Sequence, residues 1–216
     1  MVPAMKAVRR ARPSSSRVRE RTRTLLLDAA LRLFARKGVG ATAIHEIAAE
    51  AGVANGTFYN YFRTREEILE AASVRLAERL QGEVTASSTD VADPAERVAI
   101  GSRRFVLQAI RDPTWAAALM RVWTSSAALP MRSAVPILDD LRAGRRRRRF
   151  DYRSEAAALD LLVGAVLAGM RTVLERRAGE QHAGHVAALV LRGLGVPARE
   201  ADEIARRPLP ETAPAA

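Results

Sequence analysis

TAIHEIAAEAGVANGTFYNYFRTREE, residues 42–67, decides the fold of this chain. Thr42 suits the N-cap of a short helix whose Ile47, Ala48 and Ala51 share one face and which Gly52 stops. Only Val53 and Ala54 separate that glycine from a second helical stretch, Asn55 to Phe62. There Phe58 and Phe62, one helical turn apart, point the same way and leave Thr57, Tyr59, Asn60 and Tyr61 on other sides. Thr64 with Glu67 three residues on is a capping box, so a new, long helix carrying Ile68, Leu69, Ala72 and Leu76 starts at residue 65. Helices this short are not stable alone in water, so the pair needs a third helix to dock on.

That helix lies upstream. Leu26, Ala30, Leu33 and Phe34 recur at helical spacing from about Arg17, Arg36 and Lys37 suit the negative C-terminal end, and Gly38 can take the left-handed position that stops it. Two short helices joined by a tight glycine turn and packed on a third form a helix-turn-helix, whose second helix can enter a major groove. Before it, residues 1–16 hold Pro3, Pro13 and a Ser14–Ser16 run without periodicity and read as a flexible basic arm. Downstream the chain stays helical. Asp93-Pro94 and Asp112-Pro113 each place a capping carboxylate before a proline that opens a helix. Pro130 and Pro136 are expected to break up the next segment, Ser154 to cap a helix running to about Arg177, and Gly179 and Gly195 to bracket a last one. The expected division is an arm at 1–16, a helix-turn-helix domain at 17–65, a larger all-α domain at 66–207 and a frayed tail at 208–216.

Composition agrees with this and narrows the function. The 216 residues carry a formal net charge of +11 and no cysteine, which excludes disulfides and thiolate metal sites and makes a reducing cytoplasm the expected compartment. Residues 1–65 hold thirteen basic against four acidic side chains, so most of the excess sits at one end, as expected of a chain that meets a polyanion there. The apolar run Leu161 to Met170 is half of what crossing a bilayer takes, and no apolar block follows the first basic residues, so neither a membrane span nor a secretory signal is expected. A nucleotide-binding glycine loop, a His-Glu metal motif and a recognisable nucleophile setting are all absent, which argues against an enzyme, a cofactor or a metal.

An exposed tyrosine can donate to a phosphate and lay its ring on a thymine methyl, and asparagine can pair bidentately with adenine. Gly56 lets a backbone approach closely. The stretch Thr42 to Phe62, continuing through Arg65-Glu66-Glu67-Ile68-Leu69, closely resembles the DNA-binding domain of TetR-family repressors. The resemblance implies an all-helical homodimer with an N-terminal DNA-binding domain and a C-terminal ligand-binding and dimerising domain, acting on double-stranded DNA. It places His45, Gly56, Thr57, Tyr59, Asn60, Tyr61 and Arg65 at positions that contact DNA in that family. With the helix-start residues Thr42 and Asn55, these form the expected contact set. The partial charge of His45 near neutral pH would modulate affinity. The chain departs from the family where Ser then Lys are frequent: it has Ala54 and Asn55, losing a capping hydroxyl worth ~1 kcal/mol and a possible phosphate contact.

In the C-terminal part, Phe105, Leu119, Met120, Trp123, Leu167 and Met170 supply apolar bulk at helical spacing, either as ordinary core or as walls of a family-like cavity. Gln108, Thr124 and Arg171 are the candidate polar members of such a cavity, whose effector would be small and apolar or amphipathic. The small residues Gly164, Ala165 and Ala168, with Val186, Leu189, Val190 and Gly193 on the last helix, permit close helix contact, and two such helices from each subunit would form an isologous four-helix interface. The run Arg145 to Arg149 is either a solvated segment or a second polyanion contact. His182 and His185 either share a metal or lie at a surface or subunit interface. The basic arm either follows DNA or solubilises the chain.

Overall fold

Helices are the regular elements among the described residues of the computed structural model, which describes residues 15–38, 40–125 and 131–211. At positions 15, 35, 118, 121–125 and 131–133 it describes the backbone alone. Most of the arm expected at 1–16 and of the tail expected at 208–216 therefore lies outside the described residues, as does Pro130. In chain order the helices are α1 (Ser15–Lys37), α2 (Ile44–Glu50), α3 (Asn55–Tyr59), α4 (Arg65–Ser87), α5 (Pro94–Arg111), α6 (Pro113–Ser125), α7 (Met131–Arg146), α8 (Glu155–Leu174), α9 (Gln181–Gly193) and α10 (Ala198–Arg206). They form two compact units, the first ending at Ile68 and the second starting at Leu69.

In the first unit, Leu26, Ala30 and Leu33 of α1 meet Ile47 of α2, Phe58 of α3 and Phe62 in a core closed to solvent. Each large side chain buried this way contributes about 1.5–3 kcal/mol, which is what holds α2 and α3 helical at their lengths. The rings of Phe58 and Phe62 lie 5.8 Å apart. Gly38 and Gly52 adopt φ +80° and +70°, a region that costs other residues, so the stops expected at both positions are turns of the left-handed kind. α2 starts one residue later than expected. Its N-cap is Ala43, whose N–H is held by the Glu46 carboxylate at 2.8 Å, while the Thr42 hydroxyl donates back to the Gly38 carbonyl at 2.8 Å. α3 ends at Tyr59, short of the expected Phe62, because the chain tightens into a turn in which the Phe58 carbonyl accepts from both Tyr61 and Phe62.

In the second unit α5 is the central helix, packed against α6, α7, α8, α9 and α10. The Asp93 carboxylate accepts from the Ala95 N–H at 3.0 Å, Asp112 from the Trp115 N–H at 2.9 Å and Ser154 from the Ala157 N–H at 3.3 Å, the three caps expected from the sequence. α7 runs through Pro136, contrary to the expected break; a proline there costs the helix one backbone bond, and packing on α5 and α8 outweighs it. α8 is, by length and composition, long and apolar enough to cross a bilayer, which the ten-residue run within it is not. Here its Leu162, Val166, Met170 and Val173 stripe is buried in the domain's own core. α10 was not foreseen; Ala201, Ile204 and Ala205 form its single buried stripe among charged residues.

Candidate functional site

The first unit anchors α3 through Phe58, and the remaining side chains point away from that anchor. Tyr59 is 53% exposed, its ring edge-on to Phe58 at 5.5 Å, and Asn55, Gly56 and Asn60 are exposed beside it. Thr57 and Tyr61 are half-buried, the Tyr61 ring lying 6.0 Å from the Arg19 guanidinium. His45 is exposed on the first turn of α2. Arg65 is half-exposed and donates to the Gly40 carbonyl at 3.2 Å, so the start of α4 is tied to the turn before α2. At that start Thr64 accepts from the Glu67 N–H at 3.1 Å, and the Glu67 carboxylate reaches back to the Arg63 N–H at 2.7 Å. Thr42 departs from the expected contact set. It is 1% exposed with its hydroxyl spent on Gly38, because the capping position it was expected to fill belongs to Ala43.

The charge of this unit is also redistributed by pairing. Glu50 binds Arg32 at 2.9 Å and Arg36 at 2.8 Å, and Lys37 pairs with Glu46. Hydrogen bonds from Arg36 and then Arg32 hold the Glu50 carboxyl down at about 2, and the Lys37 bond, followed by the Ala43 N–H, lowers Glu46. Two carboxylates thereby offset most of the charge of the three cations at the C-terminal end of α1. Arg17, Arg19 and Arg21, all exposed on its N-terminal half, carry most of the remaining positive potential of the helix.

The second unit encloses a cavity of about 420 Å³, within the span typical of small-molecule sites. Of the residues expected to line it, Phe105, Leu119, Leu167 and Met170 do so. Gln108, Met120 and Arg171 do not. Trp115 packs against Phe105 at 6.3 Å and donates to the Ser73 carbonyl at 3.1 Å. Arg171 faces solvent and pairs with Glu175. The side chains of Trp123 and Thr124 lie outside those described. Polar wall residues that the sequence did not single out are Arg97 and Asp140, paired at 2.6 Å, with Asp139, Thr85, Ser88 and Thr89. Arg97 was legible as one polar side chain on the apolar stripe that Gly101 and Phe105 continue; Asp140 was hidden by the expected break at Pro136.

Across α8 and α9, Gly164, Ala168, Leu189 and Gly193 are exposed and Ala165 half-buried. Leu189 is 61% exposed and Leu161, beside Gly193, 40%. Val186 and Val190 are corrections to the expected interface: both are buried in the protomer's own core, Val186 so close to Gly169 that a Cβ there would meet it at 2.8 Å. Leu189 shares their side of α9 but lies at its solvent-facing border. The arginine run is largely engaged within the chain. Arg149 binds Asp93 and Glu200, each at 2.8 Å, Arg147 donates to the Ala92 carbonyl, and Arg145 lies 5.4 Å from the Tyr152 ring. Among the described residues no group of three or more metal-ligating side chains comes together, and His182 is half-buried while His185 is exposed.

Comparison with known proteins places both units. A family model described as bacterial regulatory proteins, tetR family, matches residues 26–72, and one described as a tetracyclin repressor-like C-terminal domain matches residues 93–207. An HTH-type transcriptional regulator of Mycobacterium tuberculosis is 37% identical over 98 residues, 45% of this chain and 48% of that protein. The chain spans about half the length of such curated relatives. The crystal structure of RolR in complex with resorcinol is 30% identical with a TM-score of 0.72, covering 92% of this chain and 100% of that one. RolR without ligand is 32% identical with a TM-score of 0.73, covering 88% and 100%.

Proposed function

As this chain belongs to the TetR family of bacterial regulatory proteins, we propose that it is a sequence-specific DNA-binding transcriptional regulator, a homodimeric repressor that a small molecule releases from a palindromic operator. The observation that carries the reading is the exposed Tyr59, Asn60 and Gly56 surface standing on the buried Phe58–Phe62 anchor. A surface tyrosine and asparagine held by a rigid apolar base suit direct contact with base edges, while Arg17, Arg19 and Arg21 supply phosphate contacts. His45, Asn55, Thr57, Tyr61 and Arg65 complete the proposed contact set. A dimer places two such surfaces in successive major grooves, about 34 Å apart.

The exposed Leu161, Gly164, Ala168, Leu189 and Gly193 face supports pairing through α8 and α9. The cavity supports an effector site, and the likeness to RolR, crystallised with resorcinol, supports a small ligand. α4 begins in the first unit and supplies Val74, Ala77 and Val84 to the cavity wall, so an occupant that shifts α4 changes the affinity for DNA. The test is binding to DNA from upstream of the protein's own gene, in competition with unrelated DNA. Specific binding should fall about 5- to 150-fold for Asn60→Ala and weaken steeply with salt as counterions are released. Unchanged affinity in a Tyr59→Ala, Asn60→Ala double variant removes α3 as the recognition helix.

A further inference from the structure

The cavity has two chemically different ends. α4 and α5 run in opposite directions along it, with Gly101 against Val84 near one end and Phe105 at the other. The Phe105 end is closed by Leu119, Leu167 and Met170 and is wholly apolar. At the opposite end lie Arg97, Asp140 and the hydroxyls of Thr85, Ser88 and Thr89.

What these groups offer a ligand follows from where their protons already go. Ser88 donates to the Val84 carbonyl at 2.7 Å, Thr85 to Gln81 at 2.9 Å, Thr89 to Thr85 at 3.1 Å and Ser102 to Val98 at 2.8 Å. Each hydroxyl has a single proton, and with it committed to the helix only oxygen lone pairs face the cavity. Arg97 gives its Nε to Asp140 and one terminal nitrogen to the carbonyls of Val91 and Ala92. The Asp140 carboxylate accepts that bond through Oδ1, leaving Oδ2 for a further donor. Among the described residues, the donors left beside these acceptors at this end are the second terminal nitrogen of Arg97 and the amide of Gln81, which also lines the cavity. This end is also close to neutral, since Arg97 and Asp140 cancel and Asp139 is mostly exposed. Burial pushes the Asp140 carboxyl above its ordinary value, partly offset by the Arg97 bond, as expected where an added charge is poorly solvated.

We infer that the cavity selects a neutral amphipathic effector, an apolar body bearing a phenol or alcohol whose O–H donates to the Asp140 carboxylate, and rejects carboxylates and ammonium ions. An anionic or an ammonium head adds an uncompensated charge to the already balanced Arg97–Asp140 pair, the anion also meeting the Asp140 carboxylate; an ether fits the space but leaves the acceptors unpaired. This rests on the proposal that the cavity is the effector site.

The test is calorimetric titration of the full chain with four probes of one shape: 4-hexylphenol, 4-hexylanisole, 4-hexylbenzoate and 4-hexylbenzylamine. The phenol should bind saturably, the anisole about 10-fold or more weaker, and the two ions weaker still. Asp140→Asn should lower phenol affinity about 10-fold while leaving the anisole unchanged, a change in selectivity that a loss of folding cannot mimic. Gly101→Leu, which fills the cavity, should abolish all binding. Anisole or either ion binding as tightly as the phenol overturns the inference, and if Gly101→Leu still abolishes that binding the effector-site reading survives it. Phenol binding that persists in a folded Gly101→Leu protein overturns the effector-site reading itself. Absence of saturable phenol binding overturns the inference.

Discussion

Replacing Arg149 by alanine should cost the second unit more than any other change in the arginine run. Its guanidinium makes a fork on Asp93, with Nε to Oδ1 at 3.0 Å and Nη2 to Oδ2 at 2.8 Å, and Nη2 also meets Glu200 at 2.8 Å. Arg149 and Asp93 are both 27% exposed, so the pair is screened by solvent but not dissolved by it. Asp93 is also the cap of α5, the helix on which the unit is built. Charge-assisted bonds in this setting contribute about 1.5–3 kcal/mol when lost from one side; partial exposure lowers this and the second carboxylate raises it, giving roughly 2–3 kcal/mol for the bridge as a whole. At about 2–4 °C per kcal/mol for a domain of this size, the Tm of the unit should fall about 4–12 °C. Arg149→Lys should recover part of the loss, since a point charge can hold one carboxylate but not make the fork. Arg146→Ala, an exposed neighbour, should stay within about 0.5 kcal/mol. The pH dependence has a definite sign. Burial alone raises the Asp93 carboxyl, but the Arg149 bond, with the Ala95 N–H and nearby charge, brings it below its ordinary value. The stabilisation is therefore present above the ordinary carboxylate range and lost as pH falls through the lowered value; in Arg149→Ala this acid dependence should weaken. A Tm shift under about 1 °C, or an equal shift in Arg146→Ala, would show that the run is merely solvated.

Other outcomes follow from the same geometry. Gly144→Ala should destabilise by at least about 2 kcal/mol in chemical denaturation despite the helix propensity it gains, because a Cβ there lies 2.0 Å from the buried Phe150 ring. Gly193→Ala should instead be tolerated or gain up to about 1 kcal/mol, since its Cβ meets the movable, half-exposed end of Leu161. The Glu50 carboxyl should titrate at about 2 when followed by carboxyl carbon NMR, its contribution to stability being present above the ordinary carboxylate range and lost as pH falls toward that value; a midpoint near 4.5 refutes the Arg36 and Arg32 pairing. Leu189→Glu should leave the protomer folded, because the side chain is 61% exposed, yet convert the protein to a monomer in sedimentation equilibrium whose Tm no longer depends on protein concentration; a persistent dimer places the interface elsewhere.

The first unit was the legible part. Its signals are local: the Phe58–Phe62 spacing, the glycines at 38 and 52, and the Thr64–Glu67 cap all act within a turn or two of chain. Where the expectation slipped there, at Thr42 and at the end of α3, it slipped by a turn or less, because capping positions compete with neighbouring carbonyls that differ little in energy. The second unit was legible as a set of helices but not as an arrangement. α10 escaped because nine residues with a narrow apolar stripe carry little periodic signal, and α7 because proline's local cost was not weighed against packing.

What the sequence by itself determined, then, is the helical class, the helix-turn-helix and the identity of the side chains that its short third helix leaves outside. Tertiary structure alone decided that Val186 and Val190 face inward while Leu189 faces out, that Arg97 and Asp140 meet across 43 residues at the cavity, and that Arg149 reaches Asp93 across 56. The physical reason is one of range. A helix's period says which residues share a stripe, but which stripe is buried, and which distant charge can neutralise a buried one, is fixed only when the helices pack and the dielectric around each group is set.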